Sequence, residues 1–229
     1  MTSEEMLARL LYRDGLMLVV DKPAGLPVHR GPKGGEALED YFDVLRFGLP
    51  RPPALAHRLD RDTTGCLVLG RHHKALALLG RLFKQGKIGK CYWAVVEGRP
   101  DADGGRIDIP LAKRDDTQGW WMKADSQGLL SSTIWKVMGR GSDVTWLALE
   151  PLTGRTHQLR VHCAEMGWPI VGDNIYGNAP RTGGQPLHLH SHEVTVPISK
   201  NKLPIKVIAP APASMHDKLV ACGWEGEGN

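Results

Sequence analysis

The densest run of reactive side chains is Ala56-His57-Arg58-Leu59-Asp60-Arg61-Asp62-Thr63-Thr64-Gly65, immediately before the apolar stretch Cys66–Gly70. A charged loop feeding a buried strand is where folds display functional groups, because the strand fixes the base of the loop while the loop itself meets solvent. Asp60 offers a nucleophile or a base; taken alone, the same run also reads as a solvated turn whose Asp and Thr groups bond to the backbone. A second run, Leu152-Thr153-Gly154-Arg155-Thr156-His157-Gln158-Leu159-Arg160-Val161-His162, opens a helix. Arg155, His157, Arg160 and the free N–H groups of a helix start can together receive a phosphate or carboxylate. The plain alternative is a capped helix with two surface arginines.

These groups have to be held by elements, and the hydrophobic pattern predicts more strands than helices. Runs rich in Val, Leu, Ile and Trp predict strands at Met17–Asp21, Cys66–Gly70, Tyr92–Glu97, Thr133–Met138, Asp143–Glu150, Leu187–Val196 and Pro204–Ala209. Helical spacing of apolar residues predicts helices over Glu36–Phe47 and His72–Lys84, and Thr156 is the expected N-cap of a third helix that Gly167 and Pro169 stop. The strand excess argues against a doubly wound βαβ arrangement. Loops fall at Pro23–Gly35, Gly48–Pro53, Asp101–Gly105 and Asn178–Pro186, and the polar segment Trp224–Asn229 reads as a frayed tail.

With 229 residues, of which 41% are hydrophobic, the chain can bury one good core, so a single domain is expected. It has no apolar run long enough to span a bilayer, and its first residues include Glu4 and Glu5 where a signal peptide would be basic, so neither a membrane span nor a signal peptide is expected. Four widely spaced cysteines, Cys66, Cys91, Cys163 and Cys222, suggest neither a zinc ribbon nor a disulfide framework, and fit a reducing cytoplasm. The net charge of +4 permits a polyanionic partner without demanding one.

The two reactive runs together change the reading. HRLDRDTTG and TGRTHQLRVH, in this order, resemble the RluA-type pseudouridine synthase family, whose HRLD-x-x-T-S/T-G block carries a catalytic aspartate. The resemblance continues through Val19-Val20-Asp21-Lys22-Pro23-Ala24-Gly25-Leu26, Lys90-Cys91-Tyr92-Trp93-Ala94-Val95-Val96-Glu97-Gly98, Gly167-Trp168-Pro169-Ile170-Val171-Gly172-Asp173 and Leu187-His188-Leu189-His190. It implies an α+β fold, a mixed, mainly antiparallel bent β-sheet flanked by helices with a central cleft, in one catalytic domain over residues 1–229 with its core at about 14–212. The start of the chain close to Val19 resembles short members of the family, without the N-terminal ribosomal-protein-like RNA-binding domain of many relatives.

The resemblance gives Asp60 the role of catalytic carboxylate, Tyr92 that of the active-site tyrosine packing on the base, and Arg160 that of the arginine paired with the carboxylate. Arg58 resembles the residue that enters the space left by a flipped nucleotide, and His57, Thr64, Arg155 and His157 join it as expected substrate-binding residues. The implied reaction breaks the N1–C1′ bond of a uridine, turns the uracil and rejoins it through C5, so the detached base must be held against loss to water. It needs no redox step, metal or nucleotide cofactor. Because the target lies in a base stack, the uridine must be flipped out onto an aromatic face while another side chain fills the gap. Whether Asp60 attacks the sugar or acts as a base stays open.

The expected partner is RNA, ribosomal in preference to transfer RNA, and a cytoplasmic monomer is the default. Arg71, Lys74, Arg81, Lys84, Lys87 and Lys90 around the second helix could contact phosphates. A hydrolase cleaving at C1′ is the nearest enzymatic rival, with Glu150 or Asp173 as the second carboxylate it needs. A non-catalytic RNA-binding module is the rival of a different class. His188, His190 and His192 alternate as metal ligands on one strand face could, but no acidic or cysteine partner lies near them in sequence. Trp120, Trp121, Trp135 and Trp146 could stack RNA bases, although strand tryptophans more often read as core or half-buried platform residues, and the adjacent Trp120-Trp121 pair is the one that stands out. In Gly128-Leu129-Leu130-Ser131-Ser132-Thr133, Ser131 occupies a position where the family pattern has alanine. Target choice is expected to lie in the loops Arg30–Gly35 and Asp115–Gln127.

Overall fold

The computed structural model describes residues 1–31, 34–114, 121–199 and 201–226, so the two loops expected to choose the target lie partly outside the described residues. The chain divides into two compact units, Met1–Lys90 with Ser191–Pro210, and Cys91–His190 with Ala211–Asn229.

In the first unit, β2 (Met17–Lys22) pairs antiparallel with β1 (Leu10–Arg13) on one side and β4 (Thr64–Gly70) on the other, with Lys22 opposite Gly65 and Met17 opposite Gly70. The short β3 (Ala54–Leu55) pairs with the last residues of β4, and β12 (Ile205–Ile208) pairs with the part of β11 (Leu189–Val196) that belongs to this unit. Every residue of β4 is buried, which is why its sequence is a continuous apolar run and not an alternation. Met17, Val19, Val68, Val194 and Val207 form the core with Leu79 and Leu82 of α2 (His73–Lys84). The helix starts so close to β4 that a Cβ at Gly70 would stand 2.9 Å from the Leu76 Cα.

A threonine cap begins the chain. Thr2 Oγ1 accepts the Glu5 N–H and Glu5 Oε2 accepts the Thr2 N–H, fixing α1 (Ser3–Ala8), which no expectation covered. The helix expected over Glu36–Phe47 is a 3-10 helix over Leu38–Leu45, buried through Leu38, Phe42 and Leu45. It ends where Phe47 and Gly48 adopt φ of 44° and 84°, a left-handed turn that breaks helical bonding.

In the second unit β5 (Gly89–Glu97, here from Cys91), β10 (Val144–Pro151), β9 (Ser132–Arg140) and β6 (Gly104–Asp108) form antiparallel pairs in that order, and β7 (Leu111–Lys113) pairs with β8 (Met122–Ala124). The architecture is thus a mainly antiparallel sheet flanked by few helices, as expected. Val95, Trp146 and Val171 pack on Met215 and Leu219 of α4 (Ala213–Ala221), another element the sequence reading missed. Trp224 corrects the expected frayed tail: its ring meets Trp93 edge-on at 6.4 Å, and its N–H bonds to the Leu219 carbonyl. Trp135 and Trp146 are buried, as their strand positions implied.

The third helix, α3 (Gln158–Glu165), begins one residue later than expected. Its N-cap is His157, with left-handed φ of 51° and no capping side chain, and not Thr156. The reason lies in Gln158: its Oε1 accepts from Thr153 Oγ1 and the Arg155 N–H, while its Nε2 donates to the Ser132 carbonyl. That side chain satisfies the loop before the helix in place of a threonine cap.

Candidate active site

Asp60 sits in the loop between β3 and β4, where the Thr63 N–H bonds to its carbonyl and Leu59 is buried beneath it. The support of this loop is Lys22. Its side chain is completely buried, and Nζ donates to the carbonyls of Pro23, Arg61 and Thr63 at 2.8, 2.7 and 3.0 Å. A single cation thereby holds both sides of the turn that follows Asp60. Burial lowers the pKa of Lys22 to about 8, against the opposing pull of Asp62, Asp60 and Asp21. Arg61 donates from Nε to the Gly25 carbonyl, a further tie between this loop and the turn after β2.

His57, expected at the substrate, is turned to the same structural task. Nε2 accepts the Val68 N–H at 2.9 Å, and its ring stacks on Phe83 with centroids 4.5 Å apart. Burial first, and then Lys90, drive its pKa down to about 3, so the ring is a neutral acceptor at physiological pH. Thr64 is buried at the start of β4, whereas Arg58 is exposed.

In the second unit α3 is buried along most of its length, and its buried polar side chains Gln158, Arg160 and His162 are each hydrogen-bonded. Arg160, 3% exposed, donates from Nε and Nη2 to Oδ2 and Oδ1 of Asp173 at 2.8 and 2.7 Å, and its guanidinium lies 5.3 Å from the Tyr176 ring centroid. Burial alone would raise the Asp173 pKa; the Arg160 guanidinium and the N–H groups of Tyr176 and Ile175 outweigh it and hold the carboxylate below its ordinary value. Asp173 is therefore a fixed anion and unsuited to the proton donor a C1′ hydrolase would ask of it. The Tyr176 hydroxyl accepts the Met122 N–H at 2.9 Å and lies 2.8 Å from His157 Nδ1. Tyr92 is buried in β5 opposite Leu149, and Arg155 is exposed, with Nε on the Leu130 carbonyl.

The structure thus puts His57, Arg58, Asp60 and Thr64 in the first unit and Tyr92, Arg155, His157 and Arg160 in the second. Lys22 and Tyr176 are supporting residues that the sequence did not single out, and Asp173, weighed there only as the second carboxylate of a hydrolase, is the partner of Arg160. Only the Asp21-Lys22-Pro23 block hinted at Lys22, since a lysine beside an apolar strand is ordinarily solvated. The Ser131 hydroxyl, at the position where alanine was expected, donates to the Ile109 carbonyl at 2.5 Å and lies 3.0 Å from His162 Nε2. It is an internal tie of this unit.

Residues 16–165 match the family model described as RNA pseudouridylate synthase. An uncharacterised RNA pseudouridine synthase of Zymomonas mobilis is 42% identical over 91% of this chain and 96% of its own length. The ribosomal large subunit pseudouridine synthase C of Haemophilus ducreyi is 34% identical over 97% of this chain and 71% of that protein. The solved structure of human RNA pseudouridylate synthase domain containing 4 superposes with a TM-score of 0.82 at 25% identity, covering 99% of this chain and 97% of that one. With the family model matched over residues 16–165 and relatives matched along nearly the whole chain, the chain belongs to the RNA pseudouridylate synthase family, of the RluA type, and isomerises uridine in RNA.

Proposed function

We propose that the chain modifies specific uridines of structured RNA, ribosomal RNA first and transfer RNA second, acting as one catalytic domain with its core at about residues 14–212, as a monomer in the cytoplasm. Asp60 is the catalytic carboxylate, acting at C1′ or C2′ of the target ribose while the N1–C1′ bond breaks. The uracil turns, C5 bonds to C1′, and the proton of C5 is lost as N1 gains one, so the product is an isomer of the substrate. Tyr92 receives the flipped base, Arg58 fills the gap in the stack, and Arg160 supplies the fixed positive charge that favours an ionised carboxylate. Thr64 and Arg155 contact the RNA; His157 orients Tyr176, and His57 holds the loop from within.

The observation that carries this reading is the bracing of the Asp60 loop by a buried Lys22, because catalysis by positioning requires the reactive group to be held before the substrate arrives. The ribosomal preference is supported by the similarity to the Haemophilus ducreyi large-subunit enzyme. The test is pseudouridine mapping of total ribosomal and transfer RNA in a strain lacking the gene, complemented with the wild-type chain or with Asp60→Ala. A site restored by wild type and absent with Asp60→Ala is expected. A site restored equally by both would remove Asp60 from the chemistry, and restoration confined to transfer RNA would reverse the substrate order.

A further inference from the structure

Trp121, just before β8 in the second unit, carries a guanidinium on each of two neighbours. Arg181 lies 4.8 Å and Arg114 6.0 Å from the Trp121 ring centroid. Both arginines are exposed, and among the described residues neither pairs with a carboxylate. Arg30, Arg46, Arg106 and Arg140, by contrast, each hold a carboxylate, of Asp40, Asp43, Asp108 and Asp103; what sets Arg114 and Arg181 apart is that both guanidiniums lie against one indole. The platform is also firmly based. The Arg114 N–H bonds to the Trp121 carbonyl at 2.7 Å, closing the β7–β8 pair, and the next residue, Met122, gives its N–H to the Tyr176 hydroxyl, which reaches His157.

An indole with guanidiniums stacked against it offers flat faces to bases and N–H edges to phosphates, the two things single-stranded RNA presents together. A protein partner would need carboxylates for the cations and an apolar anchor for the indole; RNA meets both needs in every nucleotide. We infer that Trp121, Arg114 and Arg181 form an RNA-contact site of the second unit, which takes an unpaired nucleotide of the substrate RNA by stacking its base and binding its flanking phosphates. The inference rests on the reading of the substrate as structured RNA, and it adds a contact that Asp60, Tyr92 and Arg58 do not make.

The test is binding of the full chain to poly(U) across a potassium chloride series. Each phosphate contact contributes a slope of about −0.7 to log K against log salt for single strands, so Arg114→Ala with Arg181→Ala reduces the slope by about 1.4. Trp121→Ala weakens binding roughly tenfold at constant slope, and Trp121→Phe recovers much of the loss. Arg114→Lys with Arg181→Lys keeps the slope. On the unmutated protein, poly(U) protects Arg114 and Arg181 from phenylglyoxal. Unchanged slope and affinity in the alanine double variant, or equal modification of both arginines with and without poly(U), would overturn the site. Pseudouridine formation on total RNA is followed separately: wild-type activity with an unaltered slope defeats this inference alone, whereas an altered slope with no wild-type activity leaves the site standing and defeats the functional reading.

Discussion

At the scale of single residues, the site depends on charges that are buried and used as struts. Lys22 and the Arg160–Asp173 pair are each removed from water, and their cost is offset by three carbonyls on the Lys22 ammonium and a two-pronged bond from Arg160 to the Asp173 carboxylate. The Lys22 pKa is lowered to about 8 from an unfolded value near 10.5. Between these values the unfolded chain binds the extra proton, so this group makes stability rise as pH increases from about 8 to 10.5 and lose that contribution as pH falls back through 8. The size is on the order of 3 kcal/mol. Urea unfolding of wild type and Lys22→Met across pH 7 to 10.5 is expected to show a steeper rise in wild type than in the variant, in which the partly buried Lys90 still contributes a rise of the same sign. At pH 7 the variant, which leaves three carbonyls without the ammonium, is expected to form pseudouridine at least about tenfold more slowly through a loosened Asp60 loop. Parallel pH curves for the two proteins would show that Lys22 keeps an ordinary pKa.

The Asp60 run was legible in the sequence because all its residues are neighbours in the chain. The Arg160–Asp173 pair was not, since thirteen positions separate its members and only the turn after Ile170 brings the carboxylate back under α3. Nor could spacing reveal that His157 holds a left-handed φ, a strain of about 1–3 kcal/mol that the bonds of Gln158 and Tyr176 sustain.

At the scale of elements, the strands that carry the site were readable because they are long apolar runs, and each of the seven expected strands is present with its ends shifted by a few residues. The short strands β1, β3, β6, β7 and β8 were not, because two to five residues hold too little period to stand out. The helix α4 illustrates what packing adds. Its end comes so near β9 that a Cβ on Gly139 would lie 1.9 Å from the Cys222 carbonyl oxygen, a backbone atom that cannot swing aside. Gly139→Ala is expected to lower stability by at least about 2 kcal/mol, seen as a Tm roughly 4–8 °C lower. Gly15→Ala, with open space around its Cβ, serves as the control and is expected to change little. Equal melting of the two variants would mean that α4 does not press on β9.

At the scale of the whole molecule, burial decides which reactive groups are available. All four cysteines are reduced thiols; Cys66, Cys163 and Cys222 are buried, and Cys91 is partly accessible. Burial pushes Cys66 up to about 12 and raises Cys163 and Cys222 as well, so none of the three is a thiolate near neutral pH. Titration of the native chain with a disulfide reagent is expected to modify no more than one thiol quickly, and all four after denaturation. Rapid reaction of two or more would show that a unit opens in the native state. Sequence alone determined the family, the aspartate proposed for catalysis and the long strands, because motifs and apolar runs are properties of neighbouring residues. Tertiary structure alone decided that Lys22 is a buried brace, that Asp173 is a bonded anion, and that Arg114 and Arg181 converge on Trp121. Each of those facts depends on residues distant in the chain meeting where water is displaced, and desolvation, unlike residue type, is not written in local order.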